Sequence, residues 1–209
     1  MVALYAIMME PFEYNASPAR VIFGSGTLSL LSDELDRHQL KCSLLLLTEQ
    51  QVNLAARVKD MLNEKLAGVF AEAKMHTPIS VTEKALAYAK SINADSVISM
   101  GGGSTIGLGK AISVRTGLPH IAIPTTYAGS EMTPILGETQ DGKKTTKSDP
   151  KILPGIVIYD VDLTMTLPAS MSATSGINAI AHSGKHSLFL RIADADVHTK
   201  SRGALCPQC

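Results

Sequence analysis

The stretch SVISMGGGST (residues 96–105) decides the fold of this 209-residue chain. Its first half is a short apolar run of the kind that forms a strand buried on both faces of a parallel sheet. Three glycines follow, and a helix is predicted from about Thr105 to Thr116. Glycines let the backbone approach a phosphate closely, and the amides and dipole of a helix N-terminus favour negative charge. The stretch therefore predicts a phosphate-binding turn; the alternative is a tight turn without a ligand.

The glycine turn departs from two well-known phosphate motifs. Counting from Gly101 through Gly103 to Gly107 leaves one residue too many for the dinucleotide pattern G-x-G-x-x-G. In a Walker A motif a Ser or Thr follows the Gly-Lys pair, whereas Ala111 follows Gly109-Lys110 here. The required upstream glycine is also missing. The sequence therefore disfavours ATP hydrolysis.

On both sides of this stretch, short apolar runs alternate with helical patterns. Strands are predicted at Arg20–Phe23, Ser43–Leu47, Gly68–Ala71, Ser96–Met100, His120–Ile123 and Ile156–Tyr159. Further helices are predicted after Gly26, from about Gln51 to Lys65, after a capping box of Ser80 and Glu83, and from about Ser170 to His182. Asp141-Gly142 predicts a hairpin turn. This alternation is typical of the α/β class with a doubly wound, Rossmann-like parallel sheet.

A second polar segment, PTTYAGSE (residues 124–131), follows the strand predicted next after the glycine turn. The carboxyl ends of neighbouring parallel strands open onto one crevice. The hydroxyl groups of this segment are therefore expected to face the glycine turn. The alternative is an ordinary helix cap with turn residues.

The composition excludes several classes of protein. Hydrophobic residues make up 45% of the chain and charged residues 18%, which is a globular composition able to bury a core. The 19 Lys and Arg balance the 19 Asp and Glu, so charge gives no argument for nucleic acid or an anionic membrane. The first nine residues are a poor signal peptide, no apolar run is long enough to span a bilayer, and three cysteines form no disulfide framework. We expect a cytoplasmic protein with no nucleic-acid or membrane partner.

These segments and their spacing resemble the iron-type alcohol dehydrogenase superfamily, and within it the maleylacetate reductases. The resemblance runs from about Asn15 to His182. The matching stretches are FGSGTL (23–28), MHTP (75–78), GGGSTIGLGKA (101–111), PTTYAGSEMTPILGET (124–139), GKKTT (142–146), LPGIVIYDVDLT (153–164) and SATSGINAIAH (172–182). Tyr127-Ala128 stands where the general superfamily has a longer Thr-rich turn, and this shorter turn favours the reductase branch.

The resemblance implies a nucleotide-binding α/β domain over residues 1–168 and the truncated start of an all-helical domain over 169–209. The active site would lie in the cleft between the two domains. The implied reaction is the reduction of maleylacetate, a small dicarboxylate, to 3-oxoadipate by NADH or NADPH in the degradation of aromatic compounds. A homodimer is also implied. Two alternatives stay open: an alcohol dehydrogenase of the same superfamily, and an inactive truncated nucleotide-binding fragment.

The resemblance also implies roles for individual residues, position by position. The cofactor-binding residues would be Gly101, Gly102, Gly103 and Ser104 around the pyrophosphate, Thr125, Thr126 and Ser130 beside the nicotinamide and ribose, Lys144 on a ribose or phosphate, and Glu49 near the adenosine ribose. Relatives often have an Asp on that ribose. Either Glu49 replaces this Asp, or the preference is relaxed towards NADPH.

A metal ion is not expected. In metal-dependent relatives an Asp and a His lie four residues apart on a helix, and here the pair is Asn178 and His182. A neutral Asn is a weak ligand for a transition metal. The resemblance leaves His182 as the candidate catalytic residue, with an ordinary helix histidine as the alternative.

The resemblance stops after His182, where SGKH (183–186) replaces the pattern of the family. The remaining residues scatter charge without a helical or strand period. One hypothesis is that the reading frame shifts near Ser183. The ending Cys206-Pro207-Gln208-Cys209 has a spacing found in zinc and redox sites. A second cysteine pair is missing, and we interpret the spacing as accidental.

Overall fold

A computed structural model of the chain describes residues 19–165 and 167–177. The strands are β1 (Arg20–Gly24), β2 (Ser43–Leu46), β3 (Leu66–Phe70), β4 (Ser96–Gly101), β5 (His120–Pro124), β6 (Ile135–Gln140), β7 (Lys143–Ser148) and β8 (Ile156–Asp160). The helices are α1 (Leu31–Arg37), α2 (Asn53–Leu62), α3 (Ile79–Ser91) and α4 (Gly103–Thr116), with a further helical stretch at 169–177. The predictions that concern Asn178, His182 and the cysteines near the C-terminus lie outside the described residues.

Six strands form one parallel sheet in the order β1-β8-β5-β4-β2-β3. Side chains alternate between its two faces, as the period of a strand requires. On β4, Ile98 and Met100 join the core beneath α1 and α2, whereas Val97 joins the core beneath α3 and α4. Helices therefore cover both faces, and the prediction of a doubly wound α/β sheet is confirmed.

The order of the strands places a topological switch point between β2 and β4. From β2 the chain proceeds outward to β3 at one edge, and from β4 it proceeds through β5 and β8 towards the other edge. Connections that leave in opposite directions open a crevice at the carboxyl ends of the two strands, where ligands of such sheets bind. The glycine turn follows β4 and therefore lies at this crevice.

The hairpin predicted from Asp141-Gly142 is confirmed. Strands β6 and β7 pair antiparallel, and the two turn residues have φ values of 50° and 75°. Positive φ at both positions is what a two-residue turn of this kind requires, and it explains the Asp-Gly pair. Arg115 on α4 fastens the hairpin to the domain through an ion pair with Glu138 at 2.9 Å.

The predicted capping box of Ser80 and Glu83 is wrong. Helix α3 begins at Ile79, its cap position is Pro78, and no side chain caps it. The amides of Val81 and Thr82 bond to the carbonyl of Pro78 at 3.0 and 3.1 Å, so the helix cap lies two residues earlier than the pattern predicts. Within the described ranges, no helix has the length and apolar character needed to cross a bilayer.

Candidate functional site

A cleft of about 950 Å³ lies at the carboxyl ends of the strands, at the switch point. One part of its lining follows β2 and β3 and includes Glu49 and Lys74. The middle is the start of α4, and the other end is formed by the segment after β5 together with Asp162, Leu163, Leu167, Pro168 and Met171. The cleft therefore runs along several strand ends, as an extended ligand requires.

The three glycines of the turn lie in three different structural environments. Gly101 ends β4, and a Cβ added there would lie 2.6 Å from Thr105 Oγ1 and 2.8 Å from Gln51 Oε1. Gly102 alone connects strand and helix and lines the cleft. Gly103 is already the first residue of α4. Close packing thus explains the first glycine, and of the three only Gly102 lines the cleft.

The N-terminus of α4 is suited to bind an anion. The first amides of any helix have no carbonyl of their own helix to bond to. Gly102 occupies the cap position with extended backbone and offers these amides no side-chain acceptor. Ser104 adds a hydroxyl group that lines the cleft. Together with the helix dipole, these groups form a site for a phosphate.

Two threonines after β5 complete the middle of the cleft. The amide of Thr125 donates to the carbonyl of Gly101 at 3.0 Å, which continues the pairing of β5 with β4 beyond the strand. The Thr125 hydroxyl accepts a hydrogen bond from Gln51 Nε2 at 3.0 Å. Thr126 lies over Gly102, since a Cβ added at that glycine would lie 3.2 Å from its Cγ2 and Oγ1. The glycine turn and the hydroxyl-rich segment therefore meet, as predicted.

A buried lysine holds the segment that follows these threonines. Lys110 on α4 is fully buried, and its Nζ donates to the carbonyls of Ser130, Thr133 and Ile135. Burial lowers the pKa of Lys110 to about 8, and the charge of Glu131 opposes this shift. The ammonium thus donates to three backbone carbonyls of the segment between the cleft and β6, and so holds this segment against α4.

The end of the cleft near β2 and β3 carries both signs of charge. Glu49, Arg57, Glu72 and Lys74 all line it. Glu72 is paired with Lys84 at 3.3 Å outside the cleft. Arg57 and Lys74 therefore provide two cations at the end of the cleft that also carries the carboxylate of Glu49.

The comparison with known families decides the identity of this fold. The family model described as iron-containing alcohol dehydrogenase matches residues 18–161. The chain belongs to this family. The expected resemblance to iron-type alcohol dehydrogenases is thereby confirmed.

Several similar members of the family are reductases. The chain is 50% identical over 177 residues to maleylacetate reductase from Rhizobium sp. (strain MTP-10005), which covers 85% of this chain and 50% of that protein. The crystal structure of maleylacetate reductase from Agrobacterium tumefaciens superposes with a TM-score of 0.81 at 52% identity, over 83% of this chain and 50% of that one. A more distant structure, sulfoacetaldehyde reductase from Bifidobacterium kashiwanohense in complex with NAD+, has a TM-score of 0.75 at 25% identity. The chain spans about half the length of the curated relatives it matches.

The predicted site residues of this iron-containing alcohol dehydrogenase domain fall into four groups. Those that line the cleft are Glu49, Gly102, Ser104, Thr125 and Thr126. Gly101 and Gly103 flank the cleft. Ser130 and Lys144 are not in its described lining: Ser130 lies against Lys110, and Lys144 is exposed on β7. His182 lies outside the described residues.

Four residues around the cleft are not among the predicted site residues: Gln51, Arg57, Lys74 and Lys110. The sequence predicts Gln51 at the start of a helix, whereas it lies in a 3-10 turn at the cleft. Lys110 stands out in the sequence only through the comparison with a Walker A motif. A polar side chain just after a buried strand, and a lysine in an otherwise apolar helix, were the available signals.

The family name raises the question of a metal ion. Residues 19–165 and 167–177 contain no group of three or more His, Cys, Asp or Glu side chains placed to hold one. The expected pair, Asn178 and His182, lies outside these ranges. The absence of a metal therefore stays a prediction.

A buried histidine behind α4 makes the domain sensitive to acid. His120 on β5 is 3% exposed, and its Nε2 lies 2.7 Å from Ser99 Oγ. Burial, and secondarily the charge of Lys110, lower the pKa of His120 to about 3. The folded domain therefore keeps this imidazole neutral, whereas the unfolded chain protonates it below about pH 6.5.

We expect the free energy of unfolding to decrease as the pH falls from about 6.5 towards 3, because only the unfolded chain takes up this proton. Between pH 7.5 and 4.5 the loss from His120 amounts to about 2–3 kcal/mol. Urea unfolding of the wild type and of His120→Gln at both pH values measures it. The variant, which keeps a polar partner for Ser99, is expected to lose less stability on acidification. An equal loss in both proteins would contradict the assignment.

Proposed function

We propose that this chain is the NAD(P)H-binding part of a maleylacetate reductase, which reduces maleylacetate to 3-oxoadipate. The observation that carries the proposal is the 50% identity to a curated maleylacetate reductase over 85% of the chain. The cleft at the switch point supports it, because it joins an anion-binding helix N-terminus to hydroxyl groups on one side and mixed charges on the other. The NAD+ complex of a distant relative supports the class of cofactor.

The order of the strands supports one orientation of the cofactor. The pyrophosphate would lie at Gly102 and Ser104, with the helix amides as donors. The adenosine would extend towards the ends of β2 and β3, beside Glu49. The nicotinamide would lie towards Thr125, Thr126 and the segment after β8. Lys144 would contact a ribose or phosphate, and Ser130 would act from the loop that Lys110 holds.

The charges near the adenosine support the use of both cofactors. A carboxylate at Glu49 suits the two ribose hydroxyls of NADH, as acidic residues do in other dinucleotide folds. Arg57 and Lys74 suit the additional 2′-phosphate of NADPH. We infer that neither cofactor is excluded, since both kinds of group line the same end of the cleft.

The reaction adds one hydride and one proton across the conjugated C=C bond of the substrate. The reduced nicotinamide supplies the hydride when it is bound. The chain's own contribution is to hold the cofactor through the α4 amides and the threonine hydroxyls, and so to fix the face presented to the substrate. His182 is the proposed proton donor. A metal ion is not expected to take part, because Asn178 provides a weak ligand where metal-dependent relatives have Asp.

We further propose that the enzyme works in the cytoplasm and forms a homodimer, as the resemblance implies. The substrate would be a small dicarboxylate. The enzyme would have no nucleic-acid or membrane partner. Light scattering of the purified chain tests the homodimer.

The function is tested by two measurements, the first of them on the purified 209-residue chain. NADH and NADPH are titrated by their own directly excited fluorescence, because the chain has no tryptophan from which energy could be transferred to the cofactor. Oxidation of NADH is then followed at saturating cofactor with maleylacetate. We expect saturable binding of both cofactors by this chain, and NADH loss that depends on maleylacetate in a chain that also carries the second half of the relatives' length.

The outcomes separate the candidate functions. Turnover of simple alcohols without turnover of maleylacetate would favour an alcohol dehydrogenase, which the family model also describes. Binding without turnover of either substrate would favour an inactive nucleotide-binding domain. The absence of binding to a folded chain would overturn the proposal for this chain.

A further inference from the structure

Gln51 links the ends of two strands on either side of the glycine turn. Its Oε1 accepts a hydrogen bond from Thr48 Oγ1 at 3.0 Å, and its Nε2 donates to Thr125 Oγ1 at 3.0 Å. Thr48 follows β2 and Thr125 follows β5, while β4 lies between these strands in the sheet. One side chain thus spans the strand that carries the glycines.

The amide of Gln51 also packs against the glycine turn itself. A Cβ added at Gly101 would lie 2.8 Å from Gln51 Oε1, so the amide occupies the space that this glycine leaves open. Gln51 is half-buried and lines the cleft. The position of the Gln51 amide is therefore determined by packing against Gly101 and by hydrogen bonds to Thr48 and Thr125.

This arrangement determines the direction of the Thr125 hydroxyl hydrogen. A hydroxyl oxygen has two lone pairs and one hydrogen. Gln51 Nε2 can only donate, so it occupies a lone pair and leaves the hydrogen to be donated elsewhere. In the part of the chain that the structure describes, Thr125 Oγ1 has no acceptor, and its residue lines the cleft. The hydrogen is thus available to a ligand oxygen in the cleft.

The amide of Gln51 is oriented with its oxygen on the side of β2, where it accepts from the Thr48 hydroxyl, and with its nitrogen on the side of β5, where it donates to Thr125. A reversed amide would place an acceptor at Thr125 and draw its hydrogen away from the cleft. Thr48, Gln51 and Thr125 therefore form a directed chain of hydrogen bonds that ends at the cleft.

We propose that Gln51 is a positioning residue of the cofactor site. It presents the hydroxyl of Thr125 as a donor to a phosphate or ribose oxygen of bound NAD(P)H. The inference rests on the proposed function, because it takes the dinucleotide as the ligand of the cleft. An amide suits this role better than a carboxylate. A carboxylate at position 51 would accept hydrogen bonds from both threonines and would bring a negative charge near the phosphates.

The test is a double-mutant cycle on NADH binding, read by the fluorescence of the cofactor. Gln51→Met has a similar shape but makes no hydrogen bond, and we expect it to raise the Kd of NADH about tenfold, the effect of one lost hydrogen bond. Thr125→Val is expected to have a similar effect. Because Gln51 acts through Thr125, adding Gln51→Met to Thr125→Val is expected to change the Kd no further.

Three further variants and measurements complete the design. Thr125→Ser keeps the hydroxyl and is expected to recover most of the affinity that Thr125→Val loses, together with the dependence of the Kd on Gln51. Gln51→Glu keeps the shape and is expected to raise the Kd more than Gln51→Met. Urea unfolding of each protein establishes that the domain is folded, and Gln51→Glu takes over the test if Gln51→Met does not fold.

The outcomes distinguish this inference from the proposed function. Wild-type binding together with unchanged affinity in Gln51→Met would overturn the positioning role alone. Additive losses in the double variant would also overturn it, because Gln51 would then act independently of Thr125. If the folded wild type binds neither NADH nor NADPH, both the function and the inference are overturned.

Discussion

Gly109→Ala is expected to destabilise the domain by about 2–3 kcal/mol, although alanine is the better helix former by about 1 kcal/mol. A Cβ at this position of α4 would lie within the van der Waals surfaces of Ser99 Oγ and His120 Nε2, and 2.8 Å from His120 Cε1. All three residues are buried, and the two side chains are hydrogen-bonded to each other at 2.7 Å. The helix must move off the sheet or this bond must break, and the urea midpoint measures the cost.

Gly103→Ala is the matched control, because it adds the same methyl group to the same helix. The nearest atom to a Cβ at Gly103 is Ala128 Cβ at 3.9 Å, an ordinary contact. Its stability is expected to equal or slightly exceed that of the wild type. If Gly109→Ala were as stable as Gly103→Ala, then α4 would not pack on β4 and β5 through this glycine.

Gly102→Asp is expected to weaken NADH binding at least about 100-fold while it leaves the fold intact. A carboxylate at the cap of α4 would stand where the pyrophosphate is proposed to bind, and like charges a few ångströms apart repel by several kcal/mol at an effective dielectric near 20. The fold should tolerate the change, because Asp is among the preferred caps of a helix. The φ of Gly102, −87°, is also accessible to any residue. Cofactor titration and urea unfolding measure the two effects separately.

Gly102→Ser separates the effect of charge from that of size. It places the same Cβ 3.2 Å from Thr126 and is also a preferred cap, but it is neutral. Its NADH affinity is expected to fall only a few-fold. Similar affinities for the Asp and Ser variants would mean that no phosphate binds at the start of α4, and the proposed orientation of the cofactor would be wrong.

Those parts of the site that depend on a short stretch of chain can be predicted from the sequence. The glycine turn follows a buried strand and precedes a helix, and the parallel pairing of β4 with β5 brings PTTYAGSE beside it. The pair Asp141-Gly142 determines its hairpin, because the turn needs positive φ at two adjacent positions. The predicted capping box is wrong because a contact with a distant part of the chain determines where α3 begins. Pro78, bridged to Thr139 on the hairpin, supplies the first carbonyl of α3 before Ser80 is reached.

The roles of two residues, Gln51 and Lys110, follow only from the tertiary structure. Gln51 bonds to Thr125, 74 positions away in the chain, and Lys110 bonds to carbonyls 20 to 25 positions away. No periodicity connects such partners, since their contact depends on which strands lie next to each other. The sequence contains the residues, but the order β5-β4-β2 decides that they meet.

The sequence by itself determined the α/β class, the turn that ends β4 and its place at a crevice, together with membership of the iron-containing alcohol dehydrogenase family. These features depend on neighbouring residues, and hydrophobic period, glycine content and turn chemistry act over a few positions. Only the tertiary structure decided which glycine is exposed to the ligand, which hydroxyl is free to donate and which lysine holds the loop. Each of these depends on side chains that converge from separate strands, because burial and hydrogen bonding are settled by packing across the sheet rather than along the chain.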